Sequence, residues 1–138
     1  MIDTARAVAF LDRVIGAPYE PEGLHCWELA RRCQLEVFDR DLPVIMTVPE
    51  TKREIVTLMA RRHEYPGWKE LQAPVHGAIV FMTRHGNGPS RSAIHAGVYL
   101  ALDGGAVLHT DDPHGVTFES LLELTTRNWA DMSFYSPT

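Results

Sequence analysis

The segment IHAGVYLALDGGAVLHT, residues 94–110, decides the architecture predicted for the second half of the chain. Its first nine residues alternate as a β-strand does, with successive side chains on opposite faces. One face carries Ile94, Ala96, Val98 and Leu100, and the other carries His95, Gly97 and Tyr99. Gly97 has no side chain and leaves room on the histidine face for a neighbouring residue. The pattern therefore predicts a strand with one apolar face and one face suited to a polar site.

The turn that follows this strand sets which residues of the next strand share its faces. Asp103-Gly104-Gly105 is typical of a hairpin turn, and residues 106–110 return as a second strand. A two-residue turn would pair residue 98 with residue 109 and place His109 on the face opposite His95. A longer loop, or a bulge at Gly105, would place His95 and His109 side by side. We predict the second register, because a slip of one residue exchanges the two faces.

Helices are predicted on the N-terminal side of this hairpin. Residues 3–15 and about 26–38 both show apolar positions at helical spacing, and Thr47 with Glu50 has the form of a capping box for a third helix. The predicted inward positions of the first two helices are Ala7, Phe10, Leu11 and Val14, then Cys26, Leu29, Ala30, Cys33 and Val37. Strand patterns follow from residue 77 onward. Helices before antiparallel strands indicate an α+β fold, one helical layer on a sheet, in a single domain spanning residues 1–138.

Composition excludes several functional classes. The 138 residues carry a net charge of -5, which disfavours nucleic-acid binding because that needs a basic face. No window approaches the roughly 20 apolar residues of a membrane helix, so membrane insertion is not expected. The N-terminus lacks the basic and apolar regions of a secretory signal, which predicts a protein that is cytoplasmic as synthesised or carried in a virus particle. Two cysteines do not make a disulfide scaffold.

One constellation could carry nucleophilic chemistry. Cys26 opens the second helix, where the helix dipole would lower the pKa of a thiol and the N-terminal amides could bind an oxyanion. Of the seven histidines, His95 has the best position for a general base, and His109 lies in the strand beside it. Asp111, Asp112 and His114 are the alternatives to His109 as the third member.

Structural interpretations stand beside these functional ones. A cysteine on a buried helix face is more often part of the core, and we interpret Cys33 in that way. The chain has no CxxC, HxxxH or HExxH spacing, so no metal site is predicted, and the chemistry above needs no cofactor. Trp27, Trp68 and Trp129 are compatible either with the core or with a substrate cleft.

The segments GAPYEPEGLHCWELAR, HAGVYL, GGAVLHT and GVTFESL together resemble the NlpC/P60 cysteine peptidases, from about residue 10 to the end. The resemblance implies a papain-like fold and hydrolysis of amide bonds in peptidoglycan stem peptides. It implies Cys26 as the nucleophile, His95 as the general base and His109 as the residue that orients the imidazole. Tyr19 occupies the position of the family's turn tyrosine, which helps to line the substrate site.

The Cys-Trp pair, and DLP after the helix, are more similar to members encoded in phage and prophage tail modules, which adds tail proteins as expected partners. Two positions depart from the family pattern: His25 stands for an Asp directly before the cysteine, and Glu28 for a Gly two residues after it. The Glu28 carboxylate would oppose thiolate formation, and a protonated His25 would partly offset it. These departures motivate an alternative, a weakened or inactive tail assembly protein on the same fold. Acyl transfer through the same residues is a third hypothesis.

Overall fold

The structure is a computed structural model that describes residues 4–42, 68–84 and 94–137. Its helices are α1 (Ala5–Val14), α2 (Cys26–Phe38) and α3 (Leu121–Thr126). Its strands are β1 (Trp68–Leu71), β2 (Ile79–Arg84), β3 (Ile94–Leu100), β4 (Ala106–Asp111), β5 (Gly115–Glu119) and β6 (Trp129–Pro137). The six strands form one antiparallel sheet in the order β1-β6-β2-β3-β4-β5. The predicted α+β class with an antiparallel sheet is confirmed, and the helix predicted at Thr47 lies outside the described residues.

Helices α1 and α2 cover one face of the sheet through the residues predicted to point inward. In α1, Ala7 and Phe10 are buried and two further apolar residues, Leu11 and Val14, pack against the same core. The predicted inward residues of α2 are all buried: Cys26, Leu29, Ala30, Cys33 and Val37. This face therefore forms the main hydrophobic core, in which each fully buried large apolar side chain contributes about 1.5–3 kcal/mol.

The opposite face of the sheet carries a second, smaller core that the sequence did not predict. Its buried members are Val80, Met82, Val107, Leu124 and Trp129. Leu124 belongs to α3, so the expectation of a single helical layer is wrong. The physical reason is the capping box at Ser120, whose hydroxyl accepts from the Glu123 N–H while its own N–H donates to the Glu123 carboxylate. This cap starts a short helix where the strand pattern would otherwise continue.

The β3–β4 hairpin adopts the predicted register. Val98 pairs with Leu108 and Leu100 pairs with Ala106, so a five-residue loop, 101–105, separates the strands. The same register sets His109 opposite Gly97 and on the face of His95. The loop carries Gly104 and Gly105 at positive φ, as a longer turn of this kind requires. The prediction that a longer connection brings His95 and His109 together is confirmed.

Within the described parts of the chain, we find no helix whose length and apolar character would let it cross a membrane.

Candidate active site

Cys26 is the first residue of α2, and His25 caps the helix in front of it. The Nδ1 atom of His25 accepts a hydrogen bond of 3.3 Å from the backbone N–H of Glu28. Only an unprotonated nitrogen can accept, so the cap excludes the doubly protonated His25 that the sequence suggested as a counter-charge. His25 is buried, with 1% of its surface exposed. Its observed role is therefore to begin the helix that carries the cysteine.

The thiol of Cys26 is buried, and its environment overturns one expectation from the sequence. Burial raises the pKa of Cys26 to about 11, and the charge of Asp111 acts in the same direction. Backbone N–H groups of Ala96, Trp27 and Cys26 itself are directed at the sulfur and lower the pKa, but burial outweighs them. The prediction of a lowered pKa was wrong because it considered the helix terminus alone. At neutral pH the resting group is a thiol.

A pH series of alkylation tests this state. In a Cys33→Ala variant, Cys26 is the only thiol. Because the pKa rises from 9.0 to about 11, the thiolate fraction at pH 8 falls about 100-fold. A more basic thiolate is also more nucleophilic, so we expect alkylation at least about 10-fold slower than in the unfolded chain. The rate should keep rising with pH beyond 9. A plateau below pH 8 would contradict this and would indicate a preformed thiolate.

His95 and His109 lie in direct contact on the second face of the sheet. The Nε2 atom of His95 is 2.8 Å from Nδ1 of His109, and the rings are nearly perpendicular. Trp129 stacks on the other side of His95, with ring centroids 4.4 Å apart and an interplanar angle of 17°. His95 is consequently fixed by two neighbours and has 8% of its surface exposed.

The backbone of β3 next to His95 contacts the Cys26 thiol. The β3–β4 pairs run from Leu100 to Val98, and beyond Val98 the N–H of Ala96 points to the Cys26 sulfur. Ala96 directly follows His95 in β3. The thiol therefore lies against the backbone of β3 at the residue that follows His95, and a nucleophile and a base on neighbouring positions are what thiol catalysis requires.

Glu119 and Arg127 extend this contact and were missed by the sequence analysis. The Nε2 atom of His109 is 2.9 Å from the Glu119 carboxylate, which Arg127 binds through two nitrogens at 2.9 and 2.6 Å. Hydrogen bonding to His109 is the main reason that the pKa of Glu119 lies well below its usual range, and Arg127 adds to it. The sequence carries no local signal for them, because Glu119 is brought to His109 by the β4–β5 register, which pairs His109 with Thr117 and Val107 with Glu119.

Tyr19 lies close enough to Cys26 for the two groups to interact electrostatically. Burial raises the pKa of Tyr19 to about 12, and the charges of Cys26, Asp112 and Asp111 contribute. Its loop is fixed to β5, since the N–H of Val116 donates to the Ala17 carbonyl at 2.9 Å. Tyr19 is thus positioned at the edge of the site.

The alternatives to His109 lie at the end of β4 and in the turn that follows it. Asp111 is buried at the end of β4, with its carboxylate 3.6 Å from Arg127. Asp112 and His114 are exposed in the following turn. His109 is favoured among the four candidates by its ring nitrogen, which lies 2.8 Å from Nε2 of His95.

The negative charge of Glu28 is paired with two arginine side chains. Arg31 binds both of its oxygens at 2.8 Å, and Arg32 binds one at 2.7 Å. These hydrogen bonds lower the pKa of Glu28, and the two guanidinium groups offset its charge. Asp111 is the carboxylate whose charge opposes ionisation of Cys26.

Trp27 and Trp129 are both buried, Trp27 in the main core and Trp129 in the second core. Trp27 is fully buried and stacks on Phe81, whereas Trp129 stacks on His95. The side chain of Trp68 lies outside the described residues.

The chemical capacity of the site is that of a thiol with an oriented imidazole. Across the three described ranges, no group of three or more His, Cys, Asp or Glu side chains is placed to hold a metal ion. Neither a family model nor a curated protein matches the chain.

Proposed function

We propose that this protein is a thiol hydrolase of peptide-type amide bonds. Cys26 is the nucleophile, His95 is the general base, and His109 orients the imidazole of His95. The observation that carries the proposal is the 2.8 Å contact between His95 and His109 at the strand end where the Ala96 N–H meets the Cys26 sulfur. A nucleophile, a base and a group that orients the base are the minimum for this chemistry.

The reaction begins from the neutral thiol. As the sulfur attacks the carbonyl carbon of the amide, His95 takes the thiol proton, and N–H groups at the start of α2 stabilise the oxyanion. His95 then gives that proton to the leaving amine, and a thioester with Cys26 remains. A water molecule attacks the thioester while His95 accepts its proton, and the carboxylic acid leaves as the thiol is restored. Because burial raises the pKa of Cys26 to about 11, transfer of the thiol proton to His95 has to accompany the attack of the sulfur.

The proposed substrates are peptidoglycan stem peptides, and the proposed fold is the papain-like fold of NlpC/P60 peptidases. The support is the resemblance of the segments around Tyr19, Cys26, His95 and His109 to that family. The similarity of the Cys-Trp pair to tail-module members supports a place in a phage or prophage tail, with other tail proteins as partners.

Trapping of the thioester tests the proposal most directly. The protein is incubated with purified stem peptides, quenched in acid during turnover and digested for mass spectrometry. We expect the acyl mass on the peptide that contains Cys26, together with new amino groups in solution. Cleavage with no adduct at Cys26 after rapid quenching, and with full activity after alkylation of that residue, would refute the assignment.

A second candidate function is an assembly protein of a phage tail that keeps the fold without turnover. The observation that favours it is the buried thiol, with a pKa of about 11 and 8% exposure. This candidate predicts binding to tail proteins and no acyl adduct with any stem peptide, in a sample whose thermal unfolding is cooperative.

A further inference from the structure

We infer that Glu119, held by Arg127, is a positioning residue that selects the protonation pattern of both histidines and makes Nδ1 of His95 the basic atom. The inference rests on the proposed function for its effect on catalysis, but not for the proton arrangement itself. It is carried by three consecutive contacts whose donors and acceptors can be assigned in order.

The assignment starts at the carboxylate. An ionised carboxylate is an acceptor only, so the 2.9 Å contact with His109 places the hydrogen on Nε2 of that ring. Nδ1 of a neutral His109 is then an acceptor. The 2.8 Å contact with His95 must be donated by Nε2 of His95. Nδ1 of His95 is then the ring nitrogen that carries no hydrogen.

Arg127 keeps Glu119 in the ionised state that this order requires. Its Nε and Nη2 bind the two carboxylate oxygens at 2.9 and 2.6 Å, and Thr117 donates to one of them at 2.9 Å. Every described partner of the carboxylate is therefore a donor or a ring that can donate. Arg127 follows α3 directly, and its backbone N–H closes that helix on the Glu123 and Leu124 carbonyls. The short helix on the second face of the sheet thereby places the guanidinium.

Glu119→Gln tests the inference, because an amide can donate as well as accept. If the amide donates to Nε2 of His109, the order of hydrogen bonds reverses and Nδ1 of His95 gains a proton. Glu70→Gln is the matched control, since Glu70 is an exposed residue on β1, at the far edge of the sheet. The primary measurement is the ¹⁵N chemical shift of the histidine ring nitrogens near pH 8, where unperturbed imidazoles are neutral.

In the native protein and in Glu70→Gln, we expect Nδ1 of His95 without a proton and Nε2 of His109 with one. In Glu119→Gln we expect a proton on Nδ1 of His95, or exchange between both patterns. We also expect kcat/KM for stem peptides to fall by about 10- to 100-fold, because the general base loses part of its orientation and correct protonation. Loss of the Glu119 charge should move the acid limb of the pH–rate profile to lower pH, because the imidazolium is less stabilised.

The same ring patterns in Glu119→Gln and in the native protein would overturn the inference, as would a proton on Nδ1 of His95 in the native protein. The ¹⁵N measurement needs no turnover. A chain that hydrolyses no stem peptide would therefore refute the proposed function and leave this inference to be decided by the ring shifts.

Discussion

Replacement of Cys26 by alanine is expected to lower the hydrolysis of stem peptides by at least about 10³-fold, because it removes the covalent route. The same replacement at Cys33 is expected to leave kcat/KM unchanged. Both residues lie on the buried face of α2, but only Cys26 receives the N–H of Ala96 at its sulfur. The comparison isolates the chemistry of one thiol from the loss of a buried sulfur atom.

The two variants make matched controls because their structural costs are similar. Each removes one buried sulfur from α2, and we expect each to reduce the free energy of unfolding by about 1 kcal/mol. Assays are compared below the midpoint of thermal unfolding of both variants. Equal activity of Cys26→Ala and Cys33→Ala would remove Cys26 from the mechanism, whatever the absolute rates.

Gly97→Ala is expected to damage both stability and activity, since the added methyl group has no space. Its Cβ would lie 2.6 Å from the Val107 side chain, 2.9 Å from the Leu108 carbonyl oxygen and 3.2 Å from Cβ of His109. The carbonyl belongs to the hairpin ladder and cannot move without separating β3 from β4. We expect the free energy of unfolding to fall by about 1–3 kcal/mol. We also expect kcat/KM to fall by about 10²-fold, as His109 is displaced from His95.

Gly104→Ala separates the loss of stability from the loss of activity. Its Cβ would meet no atom within 4 Å, but its φ of +85° strains an alanine by about 1–2 kcal/mol. The substitution lies in the same hairpin loop and away from both histidines. We expect a comparable loss of stability with kcat/KM unchanged, measured by denaturant unfolding and by initial rates. A similar loss of activity in both variants would mean that the hairpin acts only through stability.

The parts of the fold that could be predicted depend on local pattern. Helix α2 begins at Cys26 and ends at Phe38 as predicted, because a turn precedes it and its apolar positions keep helical spacing throughout. The hairpin register was accessible because Gly104 and Gly105 favour a longer loop and the alternation of β3 fixes its faces. From these two elements the sequence analysis predicted that Cys26, His95 and His109 belong to one site.

The parts that could not be predicted depend on residues brought together by tertiary structure. Glu119 reaches His109 only through the β4–β5 register, and Arg127 reaches Glu119 only because α3 intervenes between β5 and β6. The predicted lowering of the pKa of Cys26 was wrong for the same reason. The favourable helix terminus can be identified from the sequence, whereas the burial that outweighs it comes from the packing of α2 on the sheet.

The cap formed by His25 changes how a sequence pattern for such sites should be written. Nδ1 of its imidazole accepts a hydrogen bond from the Glu28 N–H. A carboxylate oxygen of Asp would accept the same hydrogen bond at an N-cap. In this structure the position before the cysteine supplies a side-chain acceptor, and a neutral imidazole nitrogen does so without the charge of a carboxylate. A search pattern for such helix starts that is defined by the acceptor atom would therefore include histidine beside Asp, Asn, Ser and Thr.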